Sequence, residues 1–114
     1  GLEHDTLARY PQTVRDVVLE DGVALIDLHA VSKVFYRALG TNLDLAFQDG
    51  THHNNYGSYQ LARCVVEGIR ANLPMLAKYF ADDVGRFDPA HPDPVEQFKM
   101  AVSPVVDAKK PDGN

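Results

Sequence analysis

The feature that most constrains the fold of this chain is a short, uninterrupted apolar run, Val23-Ala24-Leu25-Ile26, that ends at Asp27. Four apolar residues in succession are typical of a strand covered on both faces, as in a parallel sheet flanked by helices. Unpaired N–H and C=O groups in such a strand would each cost about 1 to 3 kcal/mol, and the sequence offers no second strand to pair with it. We therefore favour an α/β fold whose other strands lie outside these 114 residues, with a small helical domain as the alternative.

Apolar residues repeat at helical spacing in three parts of the chain. The first repeat predicts a helix over residues 11–20, and the second predicts a helix that follows Asp27, its N-cap, and ends at Gly40. The third predicts an amphipathic helix capped by Asn54 or Asn55. Its apolar stripe consists of Ala62, Val65, Val66, Ile69 and Leu73.

The remaining segments have the composition of turns and loops. Residues 41–55 contain only isolated apolar side chains and predict a loop. Pro74 predicts one further short helical turn, which would extend through Phe80. Residues 87–94 contain three prolines and no period, and residues 95–114 are expected to form a tail.

Composition and charge exclude several kinds of partner. The net charge is −5, and no Lys/Arg cluster is longer than Lys109-Lys110, so the chain lacks the basic surface that nucleic acid binding requires. No apolar stretch approaches the ~20 residues that span a bilayer, and residues 1–5 do not resemble a signal peptide. Cys64 is the single cysteine, which excludes an internal disulfide and a cysteine-based zinc site. We expect no nucleic acid, no membrane and no cofactor as partner.

Asp49 and His52 are the residues with the strongest catalytic pattern. They lie three residues apart in a loop before the third predicted helix, a spacing at which a tight turn brings the carboxylate against imidazole Nδ1–H. The carboxylate then fixes the tautomer of the ring and stabilises the imidazolium that forms when Nε2 takes a proton from a serine hydroxyl. The pair therefore favours acyl transfer, and a capping loop with a surface histidine is the alternative.

A second pair shows that this spacing also arises by chance. Asp88-Pro89-Ala90-His91 has the same pattern within the proline-rich segment. We prefer Asp49 and His52 because they precede a strong amphipathic helix, whereas the second pair has a rigid proline between its members and no element to anchor it.

A longer stretch around the first pair resembles a known family. Residues 49–62 read Asp-Gly-Thr-His-His-Asn-Asn-Tyr-Gly-Ser-Tyr-Gln-Leu-Ala. This stretch is similar to the last conserved block of SGNH (GDSL-type) hydrolases, in particular of rhamnogalacturonan acetylesterase-like enzymes, which carry D-G-T-H, then N-x-Y-G, then a helix. Residues 10–28 and 76–94 are similar to the segments that flank this block in the same subgroup.

The resemblance implies a flavodoxin-like, three-layer α/β domain. Residues 1–114 would be its C-terminal segment, with the last strand, the flanking helices and the catalytic loop. It also implies a serine esterase that removes an O-acyl group, chiefly acetyl, from a carbohydrate ester such as pectic rhamnogalacturonan. Asp49 and His52 would be the acid and base of a Ser-His-Asp triad, without a metal, and a secreted or periplasmic location is plausible for such an enzyme.

The nucleophile of such a triad is not in this sequence. The family's serine lies in an N-terminal Gly-Asp-Ser block, and its oxyanion donors also come from upstream segments. Ser32, Ser58 and Ser103 are the only serines here, and none follows Gly-Asp. We therefore expect a missing N-terminal half of the same domain as a partner, and an inactive chain in its absence.

Two other functional classes remain open on the sequence. One is a non-catalytic carbohydrate-binding or structural module, because Tyr56 and Tyr59 could form the floor of a sugar site, although aromatic residues at the start of an amphipathic helix are more often core. The other is a metal-binding domain that uses His52 and His53, although adjacent residues rarely reach one metal ion without further ligands.

Overall fold

The computed structural model of the chain describes residues 6–100, and it is helical. Within this range no strand forms, and β-structure is limited to one isolated antiparallel bridge between Phe47 and His53. The elements in chain order are α1 (Tyr10–Asp21), α2 (Leu28–Leu39), a 3₁₀ helix (Gly40–Ala46), α3 (Asn55–Asn72), α4 (Pro74–Ala77) and a second 3₁₀ helix (Val95–Gln97).

The prediction of a flavodoxin-like, three-layer α/β fold is wrong, because residues 6–100 contain no sheet. The run Val23-Ala24-Leu25-Ile26, expected to be a strand, is instead the connection between α1 and α2. The prediction of a strand assumed that the run is buried on both faces. In the structure Val23 and Ala24 are exposed, and Leu25 and Ile26 are only half-buried. A short apolar run does not distinguish a buried strand from a linker that packs on one side.

One residue of this connection, Ile26, packs against α3. Ile26 lies so close to Gly68 of α3 that a Cβ atom on Gly68 would come within 2.5 Å of Ile26 Cγ2. The side chain of Ile26 thus packs directly on the backbone of the helix, where only glycine leaves room for it.

The ends of the first two helices follow from local hydrogen bonds. Gly22 ends α1 in the left-handed conformation, with a φ of 65°, and its N–H donates to Val18 O. Asp27 caps α2 as predicted, because its Oδ1 accepts a hydrogen bond of 2.9 Å from Ala30 N–H. Arg15 of α1 donates to the other oxygen of Asp27 at 2.6 Å and so ties the two helices together.

The core lies where α2, α3 and the first 3₁₀ helix meet. Phe35, Ala46 and Tyr56 are its buried members. Gly57 permits the contact between the last two elements, because a Cβ atom there would lie 2.2 Å from Ala46 O. Partly buried side chains surround this core: Tyr36, Leu39, Phe47, Leu61, Val95 and Phe98.

The N-terminal end of the described range packs loosely, whereas its C-terminal end contacts the core. α1 contributes no buried residue. Val95 and Phe98, which belong to the segment expected to be a tail, pack against the core, whereas residues 101–114 of that segment lie outside the described residues. None of the helices between residues 6 and 100 is long and apolar enough to span a bilayer.

Candidate active site

The loop that carries Asp49 and His52 is closed at its base by backbone hydrogen bonds. Phe47 and His53 form the isolated bridge, and Gln48 N–H donates to His52 O at 2.9 Å. These contacts hold residues 48–52 as a tight loop between the first 3₁₀ helix and α3. The segment predicted to be loop over residues 41–55 is thus shorter, since the 3₁₀ helix occupies its first part.

Asn54 attaches the loop to α3. Its Oδ1 accepts a hydrogen bond of 3.0 Å from Gly57 N–H, which identifies it as the predicted N-cap. Its Nδ2 donates to Leu45 O at 2.8 Å and to Phe47 O at 3.3 Å. One side chain therefore bonds the helix terminus and both sides of the loop entrance.

Asp49 organises the tip of the loop through both carboxylate oxygens. Oδ1 accepts hydrogen bonds from Thr51 N–H at 2.7 Å and His52 N–H at 2.6 Å. Oδ2 lies 2.8 Å from His52 Nδ1. These donors, the backbone N–H of His52 first, hold the pKa of Asp49 at about 2, so the carboxylate is ionised at neutral pH.

The imidazole of His52 is held at one nitrogen and open at the other. An ionised carboxylate only accepts hydrogen bonds, so Nδ1 carries the proton and Nε2 of the neutral ring keeps its lone pair. The side chain is 69% exposed, and Nε2 makes no hydrogen bond to any residue between 6 and 100. Nε2 is therefore free to accept a proton from a group that approaches from outside this part of the chain.

The pair Asp88 and His91 adopts nearly the same arrangement. His91 Nδ1 lies 2.7 Å from Asp88 Oδ2, and Ala90 N–H donates to Asp88 Oδ1 at 2.9 Å. His91 is the main cause of a lowered pKa of Asp88. Pro89 therefore does not prevent the turn, contrary to our argument from the sequence. What separates the two pairs is the closed loop and the helix cap around Asp49.

His53 is turned away from His52. Its ring packs at 4.3 Å from the ring of Phe47, and its Nε2 lies 2.8 Å from the hydroxyl oxygen of Tyr36. Burial lowers the pKa of His53, which favours the neutral ring. The residues that the structure describes contain no group of three or more His, Cys, Asp or Glu side chains that could hold a metal ion.

The serines of the described range do not reach His52. The hydroxyl of Ser32 donates to His29 O at 3.1 Å and is buried. Ser58 is exposed on α3 and makes no side-chain hydrogen bond to His52. Ser103 lies outside the described residues. Cys64 is buried in α3, and burial raises the pKa of its thiol to about 11.

A cleft beside α3 contains residues that the sequence analysis did not bring together. Its volume is about 280 Å³, and its lining consists of Tyr59, Asp93, Gln97, Phe98, Lys99 and Met100. Tyr56 belongs to the core, but Tyr59 is 37% exposed and lines the cleft. No local pattern could have revealed this site, because its two sides are more than thirty positions apart in the chain.

Comparison with known proteins finds that the chain is similar to a carboxylic ester hydrolase. The relative in question is the rhamnogalacturonan acetylesterase RhgT of Bacillus subtilis (strain 168), which is 32% identical over 91 residues. The alignment covers 65% of this chain, and the chain spans 39% of the length of that relative. No protein-family model matches, and no solved structure shows significant similarity.

Proposed function

We propose that this chain supplies the acid and base of a serine esterase that removes an acetyl group from a carbohydrate ester such as rhamnogalacturonan. The observation that carries the proposal is the Asp49–His52 contact of 2.8 Å at Nδ1, with Nε2 open to the outside. The name of the similar Bacillus subtilis protein supports the substrate class.

In the proposed reaction, His52 acts first as a base and then as an acid. Nε2 takes the proton of a serine hydroxyl as the serine oxygen attacks the ester carbonyl, and the ionised Asp49 stabilises the imidazolium. The imidazolium then gives that proton to the departing sugar oxygen, which leaves an acetyl-serine. Nε2 takes a proton from a water molecule as the water oxygen attacks the acetyl-serine. The imidazolium then returns this proton to the departing serine oxygen, which restores the serine and releases acetic acid, ionised to acetate at neutral pH.

The serine and the oxyanion donors are proposed to come from polypeptide outside these 114 residues. Two observations support this. None of the three serines follows Gly-Asp, and none in the described range contacts His52. The open edge of the imidazole, 69% exposed as a side chain, leaves room for a second segment to approach.

The test compares acetate release by two samples. One is the 114-residue chain, and the other is the longest natural polypeptide that contains this sequence. We expect no release above background from the chain alone. For the longer polypeptide we expect release from acetylated rhamnogalacturonan that His52→Ala lowers by about 10⁴-fold or more in kcat, as removal of a triad base does in serine hydrolases.

The matched control is His91→Ala, because His91 has the same contact with an aspartate but lies outside the closed loop. We expect its kcat to remain within about twofold of the unsubstituted protein. Near-normal turnover in His52→Ala would contradict the assignment, and a loss in His91→Ala alone would transfer it to the second pair.

A further inference from the structure

We infer that the cleft between α3 and residues 93–100 binds one sugar unit of a polysaccharide, separately from the unit that carries the ester. The choice of a carbohydrate as the ligand rests on the proposed function. The existence of the site rests on the geometry of the cleft, which is independent of the catalytic loop.

The lining of the cleft has the chemistry that a sugar ring requires. Phe98 and Tyr59 stand with their ring centroids 5.5 Å apart and offer apolar surface, against which the C–H face of a pyranose can pack. Asp93, Gln97 and Lys99 line the same cleft and provide hydrogen-bond acceptors and donors for hydroxyl groups. An apolar floor with a few polar groups is the usual composition of a small-ligand site.

Asp93 is held in place by contacts from α3. The hydroxyl of Tyr56 donates to Asp93 O at 2.7 Å, which fixes the backbone. Gln60 Nε2 donates to Asp93 Oδ2 at 3.2 Å, and the guanidinium of Arg63 forms an ion pair with the same oxygen. Oδ1 makes no hydrogen bond to the described residues, and the side chain is 44% exposed. The carboxylate is thus oriented through one oxygen and open to a ligand through the other.

The burial of Gln60 shows how closely its side chain is committed to Asp93. Its side chain is fully buried, and its Oε1 has no hydrogen-bond partner among the described residues. An unsatisfied carbonyl in the interior is costly, so stability alone would favour an apolar residue at this position. The polar side chain is explained by its bond to the carboxylate that lines the cleft.

The cleft lies near the end of α3 that follows the loop with His52. α3 begins at Asn55, directly after the loop, and Tyr59 lies four residues further along the helix. At a rise of 1.5 Å per residue, this places Tyr59 about 6 Å along the helix axis from its first residue. The cleft and the loop therefore adjoin the same end of α3, which is the basis for proposing that one polysaccharide chain contacts both.

The test is a titration of the ¹⁵N-labelled 114-residue chain with deacetylated rhamnogalacturonan oligosaccharides, followed by NMR. We expect saturable shifts in the amide signals of Tyr59, Asp93 and residues 97–99. Tyr59→Ala should weaken binding at least tenfold, whereas Tyr79→Ala should leave it unchanged. Tyr79 is a matched control because it is 76% exposed and does not line the cleft.

Circular dichroism of Tyr59→Ala is the folding control, and it should show unchanged helix content because the side chain is partly exposed. Absence of saturable shifts, shifts confined to other residues, or equal affinity of the two tyrosine variants would overturn the inference. The assay needs no ester and no serine. Binding at the cleft without acetate release by the longer polypeptide would contradict the proposed esterase function and support the sugar site. Acetate release without binding at the cleft would support the esterase function and contradict the sugar site.

Discussion

At the scale of single residues, the chemistry of the loop depends on which hydrogen bonds each carboxylate oxygen of Asp49 accepts. One oxygen closes the turn through two backbone N–H groups, and the other contacts the imidazole. Because the turn and the ring share one carboxylate, the orientation of His52 is coupled to the backbone conformation of the loop. Asp88 divides its bonds in a similar way, with one backbone donor in place of two.

The first prediction concerns the titration of Asp49. Its hydrogen bonds lower the pKa from 3.8 to about 2 in the folded chain. Because the folded state binds the proton more weakly than the unfolded state, the stabilisation from this turn is complete above pH 4 and is lost as the pH falls toward 2. A ¹³C NMR titration of the Asp49 carboxyl carbon should show a midpoint near pH 2.

The urea-unfolded chain is the reference for that titration, and there the midpoint should return to about 3.9. Equal midpoints in the folded and unfolded chain would show that the turn does not form in solution. Asp49→Asn should remove the charge beside His52 and leave the signals of His91 unchanged, which tests that the two pairs are independent.

At the scale of elements, the site depends on the close contact between α3 and the first 3₁₀ helix. Asn54 joins them by hydrogen bonds, and Gly57 allows them to touch at Ala46. The loop with Asp49 and His52 connects these two elements, so its geometry follows from their separation.

The second prediction tests this contact by Gly57→Ala. The added Cβ would lie 2.2 Å from Ala46 O and 3.1 Å from Ala46 C, and backbone atoms cannot rotate away as a side chain can. We expect a loss of about 1 to 3 kcal/mol in the free energy of unfolding, as overpacking usually costs, measured by urea denaturation.

Gly50→Ala is the matched control for that substitution, because nothing lies within 4 Å of a Cβ at Gly50 and its φ is not positive. Its free energy of unfolding should stay within about 0.5 kcal/mol of the unsubstituted chain. Similar urea midpoints for both alanine variants would show that α3 and the 3₁₀ helix are not in contact in solution.

At the scale of the whole molecule, the described chain is unevenly packed. α2, α3 and the first 3₁₀ helix share the core, whereas α1 has no buried residue and presents Tyr10, Val14 and Val17 on its surface. The ion pair between Arg15 and Asp27 is its main polar attachment, and such partly exposed pairs contribute little to stability.

The third prediction follows from this unevenness. Since α1 is supported by few buried contacts, it should open without global unfolding, and its amides should exchange with solvent faster than those of α3. Hydrogen–deuterium exchange followed by NMR would measure both helices in one sample. Equal protection of α1 and α3 would mean that the apolar surface of α1 is covered in solution.

The features that could be predicted from the sequence depend on local interactions. The three helices, the N-caps Asp27 and Asn54, and the contact between Asp49 and His52 all depend on hydrogen bonds that span at most four residues. Such patterns are visible in a sequence because the residues that cause them are neighbours in it.

Contacts between distant residues decided the rest. Whether residues 23–26 form a strand depends on a partner strand elsewhere, and residues 6–100 contain none. The same applies to Tyr59 and Asp93, which meet at one cleft only because Arg63 and Tyr56 bind the segment 30 or more residues later. No pattern of spacing in the sequence predicts such contacts, because they arise when α3 packs against segments that are distant from it in the sequence.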